Sequence, residues 1–233
     1  MKSIYEQAMG DDFQSLHPKL QQKFSLTSQQ NVMALSVGVM DRIWGGAFFM
    51  KPVLQLLAKK HLTFKERGEN IPFVLENVAY QNQAGIECFA WIRTFQFAKK
   101  KRHFDATMIY DAKTNQIVDY LGIDQDVIST IDYTILANGG IQLTSNRLMI
   151  LFGERLVQIP KWLDGTANVR EWYDDDRDTF RIHVEVSNPY FGTIFGYEGS
   201  FLTEFLPIDQ VPKTALPRRE RVGSYNEYKK GLR

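Results

Sequence analysis

Cysteine occurs once in this chain, at Cys88. A disulfide within the chain is thereby excluded, and a zinc site would have to rest on histidines and carboxylates. Histidine is scarce too. His17, His61, His103 and His183 fall on separate segments, none with a neighbour at ligand spacing, so no metal is expected. Neither sign of charge dominates: 28 basic residues face 27 acidic ones, a net charge of +1. Without a basic excess, nucleic acid is a poor partner. Long apolar runs are missing as well. The most apolar window, 32–50, holds Asp41, Arg42 and several glycines, and does not read as a membrane span. The first ten residues lack the apolar core of a signal peptide, and on that ground we expect a cytoplasmic protein. Phosphate-loop, metalloprotease and nucleophile-elbow motifs are all absent, so the sequence nominates no catalytic residue. There is no alternation of strands with helices of the dinucleotide-binding kind, and no cofactor is implied.

What is present is a packed globular composition, 44% hydrophobic and 24% charged, with 13% aromatics concentrated in strand-like runs. Two short helices open the chain. Ser3 and Glu6 have the spacing of a capping box and Gly10 suits a helix end. Pro18 suits the first turn of a second helix over 17–24, with Leu16, Leu20 and Phe24 on one stripe. A strand follows over 32–43. Residues 48–61 form the strongest amphipathic helix pattern, closed by Lys59, Lys60 and His61. From residue 71 to about 205 strand patterns dominate: 73–80, 86–97, 102–110, 116–121, 128–137, 141–151, 155–159, 169–173, 179–186 and 193–205. Tight turns such as 82–85, 111–115, Asn138-Gly139, Gly153-Glu154 and 174–176 separate them. That spacing describes an antiparallel meander that curls into a barrel or half-barrel. The tail after Pro207 is proline-rich, then basic, and reads as an extended, solvated segment.

The stretch 131–160 organises this reading. Asn138-Gly139 favours a two-residue hairpin turn. That register places Leu136, Ile141 and Leu143 on one face and Ile131, Tyr133 and Ile135 on the other. A sheet apolar on both faces has to be covered on both, by helices, by closure or by a ligand. On the run 86–97, one face carries Glu87, Phe89, Trp91, Arg93, Phe95 and Phe97, an aromatic wall with one guanidinium in it. If that face is buried, the charge of Arg93 needs a partner. Either an internal carboxylate, Glu198 or Glu87, supplies it, or the acidic head of a ligand does. The acidic run 174–178 reads as a solvated hairpin tip.

Several of these stretches together resemble a bacterial family, the domain of unknown function 4166. They are the segment from Ile4-Tyr5 to Met9-Gly10 with Leu16 and Pro18, Trp91-Ile92-Arg93-Thr94-Phe95, Asn138-Gly139-Gly140, Ile159-Pro160 with Trp162-Leu163, and Asn188-Pro189-Tyr190-Phe191-Gly192 leading to Tyr197-Glu198-Gly199. The resemblance marks Trp91, Arg93, Gly140, Pro160, Gly192, Tyr197 and Gly199 as family positions. Lys99-Lys100-Lys101 departs from the pattern. The resemblance implies no established activity. It does imply that relatives stand alone or follow oxidoreductase-like domains.

The expected fold is α+β, mainly antiparallel β, a strongly curved sheet or half-barrel of roughly nine or ten strands with the N-terminal helices packed on it. Residues 1–207 form one domain and 208–233 an extended basic tail. Helix 48–61 lies in the concavity or across its mouth. The leading expectation for function is non-catalytic binding of a small hydrophobic or amphipathic molecule. Trp91, Phe95 and Tyr197 would line the pocket, and Arg93, with Glu198 nearby, would meet an acidic head. The alternatives are an accessory or catalytic domain working with an oxidoreductase, and an interaction module without a cavity, the latter including a homodimer through an exposed strand edge.

Overall fold

The computed structural model describes residues 1–46, 48–152, 155–160 and 164–222, apart from the side chain of Phe49. The turn Gly153-Glu154, the pair Trp162-Leu163 and the last eleven residues lie outside them.

Two helices begin the chain, α1 (Ile4–Met9) and α2 (Pro18–Phe24). Ser3 and Glu6 close the capping box expected of them, and Gly10 ends α1 at φ 56°. There follow β1 (Val32–Trp44), a third helix α3 (Lys51–Ala58), and then β2 (Gly68–Gln81), β3 (Glu87–Phe97), β4 (Lys100–Asp111), β5 (Gln116–Leu121), β6 (Val127–Ile135) and β7 (Ile141–Ser145). The chain continues through β8 (Met149–Phe152), β9 (Arg155–Gln158), β10 (Thr166–Asp174), β11 (Thr179–Asn188) and β12 (Gly192–Pro207). Strands β1 to β7 pair in sequence, β7 pairs with β10, and β12 returns to β1. The ten strands other than β8 and β9 therefore close into an antiparallel barrel. Closure satisfies the edges of the barrel and leaves β9 as the terminal strand of the sheet. The two chain ends of the barrel approach closely where β1 meets β12. A Cβ on Gly199 would stand 2.2 Å from the Val39 carbonyl oxygen, and one on Gly38 2.0 Å from that of Ser200.

Period-2 alternation sends a set of aromatic side chains inward. Phe73, Phe89, Trp91, Phe95, Phe104, Phe195, Tyr197 and Phe201 all belong to the interior cluster. Helices α1 and α2 add Tyr5, Leu20 and Phe24 to the same cluster. Lys23 of α2 is buried with them. Its Nζ lies 2.7 Å from Glu171 Oε1, with both side chains fully buried, and 4.7 Å from the centre of the Phe201 ring. Burial lowers the lysine pKa, and the Glu171 carboxylate opposes that shift.

The hairpin between β6 and β7 differs from its sequence reading. Ile135 pairs with Ile141 and Tyr133 with Leu143, so Ile131, Ile141 and Leu143 share the inner face. The loop is longer than two residues. The Leu136 amide donates to the Gly140 carbonyl, Asn138 Oδ1 accepts from the Gly140 amide, and only Gly139 takes positive φ. Asn138 spends its side chain on the turn instead of adopting the left-handed backbone of a type I′ turn. The second apolar face lies elsewhere. Val78, Tyr80, Cys88, Ile92, Val118, Tyr120 and Ile128 form an outer cluster on β2–β6. Leu151 and Leu156 of the β8–β9 hairpin and Ala215 and Val222 of the C-terminal segment cover it. The described part of the tail is thus held against the wall rather than solvated, with the Arg218 guanidinium 2.7 Å from the Asp124 carboxylate.

The run 141–151, expected as one strand, is interrupted. Ile131 pairs with Ser145, but Ile128 pairs with Met149. One extra residue on the β7–β8 side makes a bulge and reverses which side chains face inward. Odd residues face the interior before it, and even residues such as Ile150 after it.

Candidate functional site

A cavity of about 360 Å³ lies inside the barrel on the side of Trp91 away from α1 and α2. Trp91 forms its floor. The ring contributes to the cavity wall, and Nε1 donates to the Tyr5 hydroxyl at 3.1 Å. Met108, Ile131, Leu143, Val169 and Phe195 are among its apolar walls. Helix α3 closes over one side through Val53 and Leu57. The sequence expectation places helix 48–61 in the concavity or across its mouth, and α3 lies along one side of the mouth.

Two ionisable side chains stand in this apolar wall, Arg93 on β3 and Asp119 on β5. Their relative exposures, 3% and 5%, put both charges out of bulk water. Arg93 Nε donates to the Phe104 carbonyl at 2.6 Å, and the guanidinium lies 4.0 Å from the centre of the Phe104 ring. That arrangement fixes the plane of the guanidinium but neutralises no charge. Asp119 Oδ1 is buried without a hydrogen-bond partner. Burial pushes its carboxyl up to about 7, with the Arg93 charge pulling the other way. The two groups therefore sense each other through a low-dielectric interior without forming a contact pair. A carboxylic acid with a pKa of about 7 is present in both protonation states near neutrality, so the site changes charge there. Chemically, the cavity offers apolar volume, a fixed cation and a group that donates or accepts a hydrogen bond according to pH.

Of the residues nominated from sequence, Trp91 and Arg93 face the cavity together. Phe95 and Tyr197 are fully buried in the neighbouring aromatic packing, with ring centres 5.0 Å apart, and neither belongs to the cavity wall. Tyr197 still senses the site: burial raises its phenol pKa and the Arg93 charge works against that. Glu198 points the other way. Because Tyr197 faces inward, its neighbour faces outward, where Glu198 Oε1 accepts from Arg42 at 2.6 Å and Oε2 lies 2.9 Å from His183. Glu87 accepts from the amide and hydroxyl of Ser28. The internal Arg93 pair expected with one of these two carboxylates is therefore not formed. Asp119 went unnoticed in the sequence although the pattern held a clue. It sits between Ile117 and Leu121 on the inward face of β5, a carboxylate at a core position.

The expectation that the histidines stay apart also fails. His61 and His103 stack with ring centres 4.4 Å apart and planes 18° from parallel. His61 Nδ1 lies 2.5 Å from Asp105 Oδ2, and the Asp105 amide donates to the His61 carbonyl. Among the described residues these three present ligand atoms within 4.8 Å of one another. Stacked rings direct their in-plane lone pairs side by side rather than at one point, which suits a clip between the α3 loop and β4 better than a metal. Burial lowers the His103 pKa.

The family model described as "Domain of unknown function (DUF4166)" matches residues 16–201. The chain belongs to this family. The matched span runs from just before α2 into β12, so it contains the whole cavity wall and leaves α1 outside. The chain is also similar to "Uncharacterized protein YndH" of Bacillus subtilis (strain 168). The two are 37% identical over 207 residues, which covers 88% of this chain and 98% of the relative. No solved structure matches. Within the DUF4166 domain, two residues of the resemblance, Trp91 and Arg93, meet at the floor of the cavity. Gly140 and Gly199 serve packing, where a Cβ on Gly140 would stand 2.8 Å from the Trp172 Cβ. No helix among the described residues is long and apolar enough to cross a membrane.

Proposed function

We propose that this DUF4166 domain is a binding protein for a small amphipathic molecule with an acidic head. The observation that carries this reading is a largely apolar cavity of about 360 Å³ with one buried guanidinium in its wall that forms no ion pair among the described residues. The volume falls in the range of small-molecule pockets, roughly 300–1,000 Å³. Burying a cation without a counter-ion is costly, and an anionic group on a guest offsets that cost directly at Arg93. The apolar part of the guest lies against Met108, Ile131, Leu143 and Val169. Asp119 in its protonated form donates a hydrogen bond to the head.

Mass spectrometry of organic extracts from the purified protein tests this, together with binding of a fluorescent fatty acid, cis-parinaric acid, in solution. The expected result is a bound acid that Arg93→Ala loses while the fold is retained. A chain that binds no acid, or an Arg93→Ala variant that binds it as well as the parent, would refute the reading.

A second reading draws on the same pair. A carboxyl group with a pKa of about 7 facing a cavity is suited to proton transfer on a bound molecule, as an accessory or catalytic domain of an oxidoreductase system would require. The two readings separate on whether the added ligand is recovered unchanged in mass.

A further inference from the structure

The opening of the cavity carries more apolar surface than the barrel uses. In α3, Leu54 is buried and Leu57 faces the cavity, yet Val53 is 51% exposed and Leu56 more so. Phe48, just ahead of the helix, stands almost wholly in water. The β8–β9 hairpin repeats the pattern. Leu151 and Leu156 on one face pack in the outer cluster. The other face carries Ile150, Val157 and Phe152, the last 79% exposed. Val53 and Ile150 each line the cavity and reach solvent, so the two apolar patches flank its mouth. Scattered exposed apolar residues need no explanation, but apolar patches on two sides of an opening mark a contact surface.

Among the described residues, three cations flank this patch. Lys51, Lys59 and Arg155 are exposed, and Lys51 Nζ lies 4.7 Å from the centre of the Phe48 ring. Among the described residues none of the three has a carboxylate within ion-pair distance. Three carboxylates toward this end are already engaged: Asp124 and Asp126 with Lys60 and with Arg218 or Arg221, and Asp164 with Arg147. Projecting aromatic and aliphatic side chains with free cations behind them are the makings of an interfacial anchor.

We propose that the open end of the barrel docks on the surface of an anionic lipid bilayer. Phe48, Leu56 and Phe152 enter the headgroup layer, and Lys51, Lys59 and Arg155 face the phosphates. The cavity mouth then opens onto the bilayer, and an amphipathic guest passes between membrane and barrel without crossing water. This passage rests on the cavity reading above, whereas the docking stands on the rim alone. Each cation brought to an anionic surface strengthens partition about fivefold.

Co-flotation of the full chain with vesicles tests the proposal. One set is phosphatidylcholine alone, the other phosphatidylcholine mixed with phosphatidylglycerol. The expected result is partition onto the mixed vesicles at least about tenfold above that onto the neutral ones. Lys51→Glu with Arg155→Glu should abolish that preference, and Leu56→Ser with Phe152→Ser should weaken binding to both. All four side chains are exposed and outside the cavity wall, so thermal unfolding should be unchanged. The proposal is overturned if the parent ignores both vesicles, if the variants float like the parent, or if light scattering shows a dimer that Phe152→Ser dissolves, which would make a second copy the occupant. Binding of cis-parinaric acid without vesicles separates the two readings. A chain that binds the acid but no vesicle sinks the docking and spares the cavity. One that binds vesicles but no acid does the reverse.

Discussion

Replacing Asp119 by asparagine should make the protein more stable at alkaline pH and leave it nearly unchanged in acid. The side chains have the same shape, so the comparison isolates the charge. Burial raises the Asp119 carboxyl from its ordinary value of 3.8 to about 7, and the acid is therefore harder to ionise folded than unfolded. A group with a raised native pKa contributes its stability below the unfolded value and loses it as pH rises through the folded one. Below about pH 4 the carboxyl is neutral in both states and costs nothing. Between about pH 4 and 7 the unfolded chain releases the proton first, and stability falls. At 1.36 kcal/mol per pKa unit, the loss by pH 8 is about 4 kcal/mol, an upper figure for a group in contact with a cavity. Asparagine has no proton to lose and escapes it. Urea denaturation of both proteins at about pH 4 and about pH 8 measures the effect, with other titrating groups cancelling in the difference. A gap between the two proteins that is the same at both pH values, or below about 1 kcal/mol at pH 8, would mean that water solvates Asp119. The argument for a charge-bearing cavity wall held out of bulk water would then fail.

The same titration governs the guest. Affinity for an acidic ligand should rise as pH falls through about 7, by at most about tenfold per pH unit for one proton taken up, because protonating Asp119 removes the negative charge that competes for Arg93. Asp119→Asn should flatten that dependence in a cis-parinaric acid titration, and an unflattened curve would place the linked proton elsewhere. At the far end of the barrel, Lys23→Met should cost about 3–5 kcal/mol because it strands the Glu171 charge in the interior. Lys23→Met with Glu171→Leu should cost less than the single change. Equal costs for the single and double variants in denaturant titrations would show that Glu171 is not held as an ion.

Much of this protein was legible residue by residue. The alternation in β3 announced an aromatic wall containing Arg93, the Ser3–Glu6 spacing announced the cap of α1, and the turns marked most strand ends. These features depend on neighbours two to four residues apart, so local sequence decides them. The hairpin at Asn138 escaped because a side-chain bond to the Gly140 amide, not backbone preference, chose the loop, and with it the register. The bulge before β8 escaped because it is defined only against β6.

Closure of the barrel, the wrapping of residues 208–222 over its outer cluster and the meeting of Arg93 with Asp119 all join segments far apart in the chain. Nothing within either segment specifies the other. Glu198 shows the difference most plainly: it was a reasonable partner for Arg93 by composition, and one step of strand alternation put it on the opposite side of the wall. Sequence alone determined which residues sought the interior. Only the folded barrel decided which of them would share it, because pairing across a closed sheet is a property of the whole ring of strands.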